Sequence, residues 1–212
     1  MNGEGCFIKQ CRDTVAFRNE LLVYRSGFPH RAKLQSVEDN RTLRFSLLPG
    51  KPYADQPFTA RLIRQLALVI SSLHKLKRDN EKVLCHWDNQ PCNLLWDAET
   101  GQMNLVDFSD IRLAPPEADI CHLFLFWAEW LTPADLRKWT GMFLHSYTGQ
   151  VPLSTARWKR EYCKAKRRFD ARRHKHGRQE AEVNPDRQLN RKYLSGLNLP
   201  CTPHGCAQSR SR

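Results

Sequence analysis

Residues 86–93 read HWDNQPCN, and Asp107 lies fourteen residues beyond the last of them, Asn93. Short apolar runs flank these polar residues and predict buried strands, so a hairpin would gather Asp88, Asn93 and Asp107 at one end of a small sheet. Two carboxylates and an amide oxygen are hard ligands that suit Mg²⁺ rather than Zn²⁺. Phosphoryl transfer needs such a metal, and also a carboxylate that accepts the proton of the attacking hydroxyl. The spacing therefore favours this chemistry, although each Asp alone would be read as a turn or cap residue.

The composition is that of a soluble globular protein. The chain has 212 residues, 41% of them hydrophobic and 26% charged, which is enough for one medium domain or two lobes. Residues 1–5 are polar, so we expect no signal peptide, and the longest apolar run (123–131) is interrupted by Glu129 and is too short to span a bilayer. The eight cysteines show no paired pattern. We therefore expect a cytoplasmic protein with free thiols.

Positive charge is concentrated in residues 157–192. This stretch holds fourteen Lys or Arg and five Asp or Glu, and so supplies nine of the twelve net positive charges. Such a block could bind nucleic acid, anionic lipid head groups or an acidic substrate, or it could be a solvated basic helix. Charge alone leaves all of these interpretations open.

The hydrophobic pattern predicts an α+β fold with a small mixed lobe and a larger, mainly helical lobe. Strands are predicted at 6–11, 32–37, 42–48, 83–85, 93–96 and 103–106, and helices at 14–24, 58–76, 120–130, 134–147 and 154–176. The predicted divisions are a partial N-terminal lobe (1–48), a hinge (49–57) that opens with the breaker PGKP, a C-terminal lobe (58–177), and a disordered basic tail (178–212).

The pattern HxDxxPxN, followed by a hairpin and an apolar strand ending in DF, resembles the catalytic and metal-binding loops of the protein-kinase-like superfamily. With no Lys two residues after the Asp, it is similar to the aminoglycoside/choline kinase-type phosphotransferases and to the lipopolysaccharide core (Kdo/heptose) kinases. The resemblance implies that Asp88 is the catalytic base and that His86 braces its loop. It also implies that Asn93 and Asp107 hold Mg²⁺. Asp119, within PPEADICHL, matches the acid that opens a helix and anchors the same loop.

The first lobe adds an ATP site to this resemblance. Lys9, on a predicted strand, matches the lysine that grips phosphates, and Glu20, on the next helix, matches its paired glutamate. The segment RFSLLPG resembles the last strand and hinge, so the backbone of Leu47 and Leu48 would bind adenine. Leu95 would form the apolar floor of that pocket. An ordinary surface pair is the alternative interpretation of Lys9 and Glu20.

Three features depart from the superfamily pattern. Only eight residues precede Lys9, whereas a kinase-like lobe has two strands and a Gly-rich phosphate loop before this lysine. Either the start lies upstream of Met1 or the lobe is shortened, and a shortened lobe would fit a non-catalytic, kinase-like binding protein. The others are Trp87, where the aminoglycoside branch usually has a small residue, and Ser109, where Gly is common.

The predicted acceptor is a sugar hydroxyl. The paired helices after residue 120 resemble those of the lipopolysaccharide core kinases, which act on an anionic, lipid-linked sugar at the cytoplasmic face of the inner membrane. The basic helix would then meet phosphates or an anionic membrane surface, through Arg157, Lys159, Arg160, Lys164, Arg167 and Arg168. Nucleic acid is a less favoured partner. An aminoglycoside or choline-type kinase would instead be expected to have an acidic acceptor cleft, and residues 110–180 are not acidic.

Overall fold

The computed structural model describes residues 5–175 and 185–199. Its first lobe consists of strand β1 (Cys6–Gln10), helix α1 (Thr14–Arg25) and strands β2 (Leu34–Val37) and β3 (Thr42–Ser46). The strands form an antiparallel sheet in the order β1-β3-β2. The Asp13 side chain caps α1 by accepting a hydrogen bond from the Ala16 N–H at 2.8 Å, which satisfies an otherwise unpaired amide of the first turn.

Helix α2 (Ala60–Leu76) supports two small sheets. Thr59 caps it, and Leu62, Leu66, Val69 and Leu73 form a fully buried stripe at helical spacing. One sheet has strands β4 (Lys51–Pro52), β7 (Leu94–Asp97) and β8 (Gln102–Leu105); the other has β5 (Arg78–Asp79), β6 (Lys82–Cys85) and β9 (Arg112–Ala114). Strands β6 and β8 both pack on α2, which fixes where the polar loops following β6 and β8 emerge.

Helices α3 (Pro116–Trp127), α4 (Pro133–Thr148), α5 (Thr155–Lys175) and α6 (Pro185–Ser195) complete the second lobe. Helix α3 carries the longest apolar run of the sequence and is buried nearly all round, with Phe124 stacked on Trp127 at 5.0 Å. No helix in the two described ranges is both long and apolar enough to cross a membrane. Within that run, residues 123–125, 127 and 128 are buried in the core.

The predicted elements are present, with ends that differ by a few residues. The largest shift is at α3, which begins at Pro116 rather than at residue 120. Proline is well suited to the first helical position, because it has no N–H to leave unpaired and its φ is already helical. The predicted hinge, 49–57, contains β4, whose two residues pair with β7.

The prediction of a disordered tail from residue 178 is wrong for residues 185–199. There α6 packs on the second lobe: Leu194 is fully buried, and its carbonyl accepts a hydrogen bond from Trp158 Nε1 at 2.8 Å. The Asn190 amide donates to the Leu131 carbonyl at 2.8 Å. Helix α6 needs few apolar residues to dock, because residues of the second lobe form hydrogen bonds with it. The rest of the predicted tail, with Cys201 and Cys206, lies outside the described residues. The other six cysteines are free.

A buried carboxylate joins three helices to the loop after β6. Asp119, only 1% exposed, accepts hydrogen bonds from the backbone N–H of His86 at 2.6 Å and of Trp87 at 2.8 Å, and His74 Nε2 lies 3.0 Å away. The other ring nitrogen of His74 contacts the Tyr147 hydroxyl at 2.5 Å. Burial alone would raise the pKa of Asp119, but its hydrogen bond and charge interaction with His74, aided by His86 and Trp87, hold the pKa below its usual value.

We expect Asp119→Asn to lower the free energy of unfolding by about 3 kcal/mol at neutral pH, because an amide replaces a buried, multiply bonded carboxylate. A carboxyl with a lowered pKa stabilises the fold above its unfolded pKa of about 4 and loses that contribution as pH falls through the folded value. The difference in free energy of unfolding between the variant and the wild-type chain, measured by urea titration, should therefore become smaller in acid. A difference that stays constant below about pH 4 would contradict this. The exposed Asp55→Asn is the control.

Leu194→Ala should lower the free energy of unfolding by about 2–4 kcal/mol, because it leaves a cavity between α6 and the second lobe. The matched control is Leu189→Ala on the same helix, where the side chain is 52% exposed, and it should change stability by less than about 0.5 kcal/mol. Equal, small effects in urea unfolding would show that α6 does not dock as described.

Candidate active site

Lys9, Glu20 and Asp107 form a chain of ion pairs between the two lobes. Lys9 projects from β1, and its Nζ lies 2.6 Å from Glu20 Oε1 on α1 and 2.5 Å from Asp107 Oδ1 after β8. Glu20 is fully buried, and the Ser109 hydroxyl also donates to its Oε1, at 3.0 Å. Ser109, which departs from the superfamily pattern, thus ties the segment after Asp107 to α1.

Lys9 and Asp107 stay charged in this series of ion pairs, and Asp107 is its solvent-exposed end. Burial lowers the pKa of Lys9, but Glu20 and Asp107 more than offset this and raise it, so the ammonium is retained. Burial likewise raises the pKa of Asp107, yet the hydrogen bond from Lys9 and its charge bring it below the usual value. At Glu20 burial dominates and raises the pKa. Asp107 is therefore the ionised carboxylate that reaches solvent, with a side chain 46% exposed.

Asn93 connects the loop of Asp88 to the strand that leads to Asp107. Its Nδ2 donates to the Asp88 carbonyl at 2.8 Å, and its own carbonyl accepts from the Val106 N–H at 3.0 Å. His86 makes a second connection, because its Nε2 donates to the Val106 carbonyl at 3.0 Å. These local contacts explain why the motif places Asp88, Asn93 and Asp107 together.

The donor set suits a divalent magnesium ion. Asn93 uses its amide nitrogen on the Asp88 carbonyl, and its amide oxygen, which has only a long 3.8 Å contact from the Cys92 thiol among the described residues, is the atom for a metal. Asp107 has φ +63° and ψ +70°, a left-handed conformation that ordinary residues adopt only when their surroundings hold them there. An amide oxygen and a carboxylate are hard ligands of the kind that Mg²⁺ prefers, while phosphates and water usually complete its shell.

A mainly apolar cavity of about 400 Å³ adjoins these groups. The predicted residues that line it are Lys9, Glu20, Leu47, Leu48, Asn93, Leu95 and Asp107. Asp88 lies outside it, next to Asn93, while His86 and Asp119 are buried behind the loop. Sequence reasoning did not single out Tyr24, Ala32 or Phe45 as lining residues, although Phe45 alternates with Leu43 on a predicted strand.

Basic side chains surround Asp88 and Trp87. Arg172, on α5, places Nη1 2.8 Å from Asp88 Oδ1. One turn earlier, the Arg168 guanidinium lies 4.0 Å from the centre of the Trp87 ring, and Arg112 from β9 lies 4.5 Å from it. Sequence reasoning noted Arg168 as a membrane contact but missed Arg112 and Arg172. The four-residue spacing of Arg168 and Arg172 on one helix was the available signal.

The other predicted membrane contacts have different surroundings. Arg157 bonds to the buried Glu117 at 3.1 Å, and both Arg160 and Lys164 pair with Glu161. Lys159 and Arg167 are exposed. Part of the basic helix is thus neutralised within the second lobe.

Residues 30–162 match the phosphotransferase enzyme family. Among solved structures, the AMP-bound spectinomycin phosphotransferase aligns over 93% of this chain and 86% of its own at 14% identity, with a TM-score of 0.63. The Streptomyces rimosus aminoglycoside phosphotransferase with ADP and streptomycin aligns over 90% and 86% at 14% identity (TM-score 0.58). Choline kinase from Streptococcus pneumoniae aligns over 93% and 88% at 13% identity (TM-score 0.57).

A search of curated protein sequences found no match. The structural likenesses show the fold, and the family match covers more than half of the chain. The predicted kinase-like α+β fold is confirmed, and so is the predicted enzyme class, a phosphotransferase with an alcohol group as acceptor. The narrower resemblance to lipopolysaccharide core kinases stays a prediction. The chain belongs to the phosphotransferase enzyme family.

Proposed function

We propose that this chain uses ATP and Mg²⁺ to phosphorylate a hydroxyl group of a sugar. The observation that carries the proposal is the Lys9–Glu20–Asp107 chain at the mouth of an apolar cavity, with Asn93 and Asp88 alongside. A cation, an ionised carboxylate and an amide oxygen converge where a nucleotide would present its phosphates. These are the groups that phosphoryl transfer requires.

The cavity is the proposed adenosine site. Its volume of about 400 Å³ and its apolar lining are typical of small-ligand pockets. Leu48 and Leu95 would contact the base, and Lys9, held by Glu20, would donate to the phosphates. Two of the structurally similar proteins carry AMP or ADP. The backbone N–H of Leu47 lies 3.4 Å from the Gly5 carbonyl, a long bond that adenine could replace.

Mg²⁺ held by Asn93 and Asp107 would neutralise charge on the phosphate oxygens. Asp88 would hydrogen-bond to the acceptor hydroxyl and receive its proton. As the acceptor oxygen forms its bond to the γ-phosphorus, the bond from that phosphorus to the bridging oxygen breaks and ADP leaves. His86 and Asn93 hold the Asp88 loop against the Asp107 loop, and so set the distance between base and phosphate.

For the acceptor, we propose a sugar of the lipopolysaccharide core type, reached by a cytoplasmic protein that lies against the inner membrane face. The support is the basic character of α5 and the Arg172 guanidinium at Asp88. The alternative is a cationic small molecule, and the likeness to a choline kinase favours it. Cationic acceptors would, however, be repelled by Arg112, Arg168 and Arg172.

Asp107→Asn should weaken Mg²⁺-dependent ATP binding by about tenfold or more, because the variant loses an ionised ligand. Calorimetry with ATP, with and without Mg²⁺, measures this directly. The exposed Glu99→Gln serves as a charge-matched control and should bind as the wild-type chain does. Equal Mg²⁺ dependence in Asp107→Asn and the wild-type chain would contradict the metal assignment.

Asp88→Asn should lower kcat by a factor of about 10²–10⁴, the usual range for losing a general base. Because Asp88 lies outside the cavity, the Kd for MgATP should change less than about twofold. ADP release with a panel of sugars gives kcat. If the variant keeps its turnover, another group accepts the proton.

A further inference from the structure

Trp87 has a strained backbone and an unusual set of neighbours. Its φ of +70° lies in the left-handed region, which is unfavourable for a residue with a Cβ. The bond from its N–H to Asp119 holds this conformation. Two guanidiniums lie over the ring of Trp87, the residue before Asp88: Arg168 at 4.0 Å and Arg112 at 4.5 Å from the ring centre. Cation–π contacts of this kind favour both cations.

Three guanidiniums therefore share a small space. Arg172 follows Arg168 by one helical turn and bonds to Asp88, so a continuous basic surface runs from Arg112 across Trp87 to Asp88. Burial lowers the pKa of Arg168; the charge of Glu161 raises it in part, and the charges of Arg172 and Arg112 lower it further. The three cations thus repel one another.

Nearby carboxylates act on these guanidiniums by charge, Asp110 on Arg112 and Glu161 on Arg168, but without a direct ion pair. Within residues 5–175 and 185–199, no carboxylate lies within ion-pairing distance of Arg112 or Arg168. Arg112 donates instead to the backbone carbonyl of Asp110 at 3.3 Å. The Asp110 carboxylate is bound by Arg12 at 2.5 Å. Among the described residues, the exposed Arg112 and the partly buried Arg168 are thus without an ion-pair partner, although guanidiniums bind carboxylate and phosphate strongly.

We infer that Arg112, Arg168 and Arg172 bind an anionic group that the acceptor carries near its reactive hydroxyl. The inference rests on the proposed role of Asp88 and specifies the acceptor as a carboxylate- or phosphate-bearing molecule. Because Arg172 Nη1 lies 2.8 Å from Asp88 Oδ1, an anion bound by Arg172 would lie close to the reactive hydroxyl, within the same or the adjoining sugar ring.

Arg172 has a distinct part in this arrangement. Its side chain is 49% exposed and is held by Asp88 alone among the described carboxylates, so it can exchange partners. The acceptor's anion takes up the Arg172 guanidinium, and Asp88 is then released to bind the hydroxyl. An acceptor without an anion leaves Asp88 paired with Arg172.

The test uses the full chain saturated with Mg²⁺ and a non-hydrolysable ATP analogue, titrated by calorimetry with glucose, glucuronate, glucose 6-phosphate and glucosamine. We expect the two anionic sugars to bind at least about tenfold more tightly than glucose, and glucosamine more weakly. Phosphatidylcholine vesicles with and without phosphatidylglycerol form a second arm. A preference for the anionic vesicles alone would assign the anion to a lipid head group, and a preference for the anionic sugars would assign it to the soluble acceptor.

Arg168→Gln should remove the preference for anions, whereas Arg167→Gln, the exposed neighbour with the same change of charge, should keep it. Arg168 does not contact Asp88, so with an anionic acceptor its replacement should raise KM more than it lowers kcat. Two results would overturn the inference: no preference in either arm while the ATP analogue binds normally, or equal losses in both variants. Failure of the analogue itself to bind would instead reject the proposed function.

Discussion

The position of one buried carboxylate sets the geometry of the whole site. Asp119 accepts two backbone N–H groups from the loop after β6 and contacts His74 from α2, so that loop cannot move independently of α2 and α3. A buried charge is stable only when its hydrogen bonds are complete. The groups that complete those of Asp119 include the backbone of the loop that carries Asp88, the proposed base. Stability and positioning thus depend on the same bonds.

A series of polar contacts leads from this carboxylate to the opposite lobe. The loop held by Asp119 carries His86, which bonds to the Val106 carbonyl, and Val106 precedes Asp107, which pairs with Lys9. Glu20 then fixes Lys9 to α1. Ion pairs therefore hold the two lobes together at one edge of the cavity. Leu48 and Leu95 line its apolar interior.

The sequence was most informative where the contacts are local. Asp88 and Asn93 are five residues apart, so their spacing predicted that they lie together, and the structure adds the bond between them. Lys9 and Glu20 could be paired only by their order along the chain. Arg172 lies eighty-four residues from Asp88, and no local pattern links them, because the packing of α5 against α3 decides that contact. Helix α6 was missed for a similar reason: its sequence is polar, and its neighbours supply the burial.

The contact between Arg172 and Asp88 also bears on the fate of ATP when no acceptor is bound. Any kinase site that opens to solvent offers the γ-phosphate to water as well as to its substrate. Here Oδ1 of Asp88 accepts from Arg172 and Oδ2 from the Gln90 amide at 3.2 Å, so a water molecule must displace an existing donor before it can be oriented for attack. With Asp88 in its proposed role, the enzyme would hydrolyse ATP only slowly when no acceptor is bound.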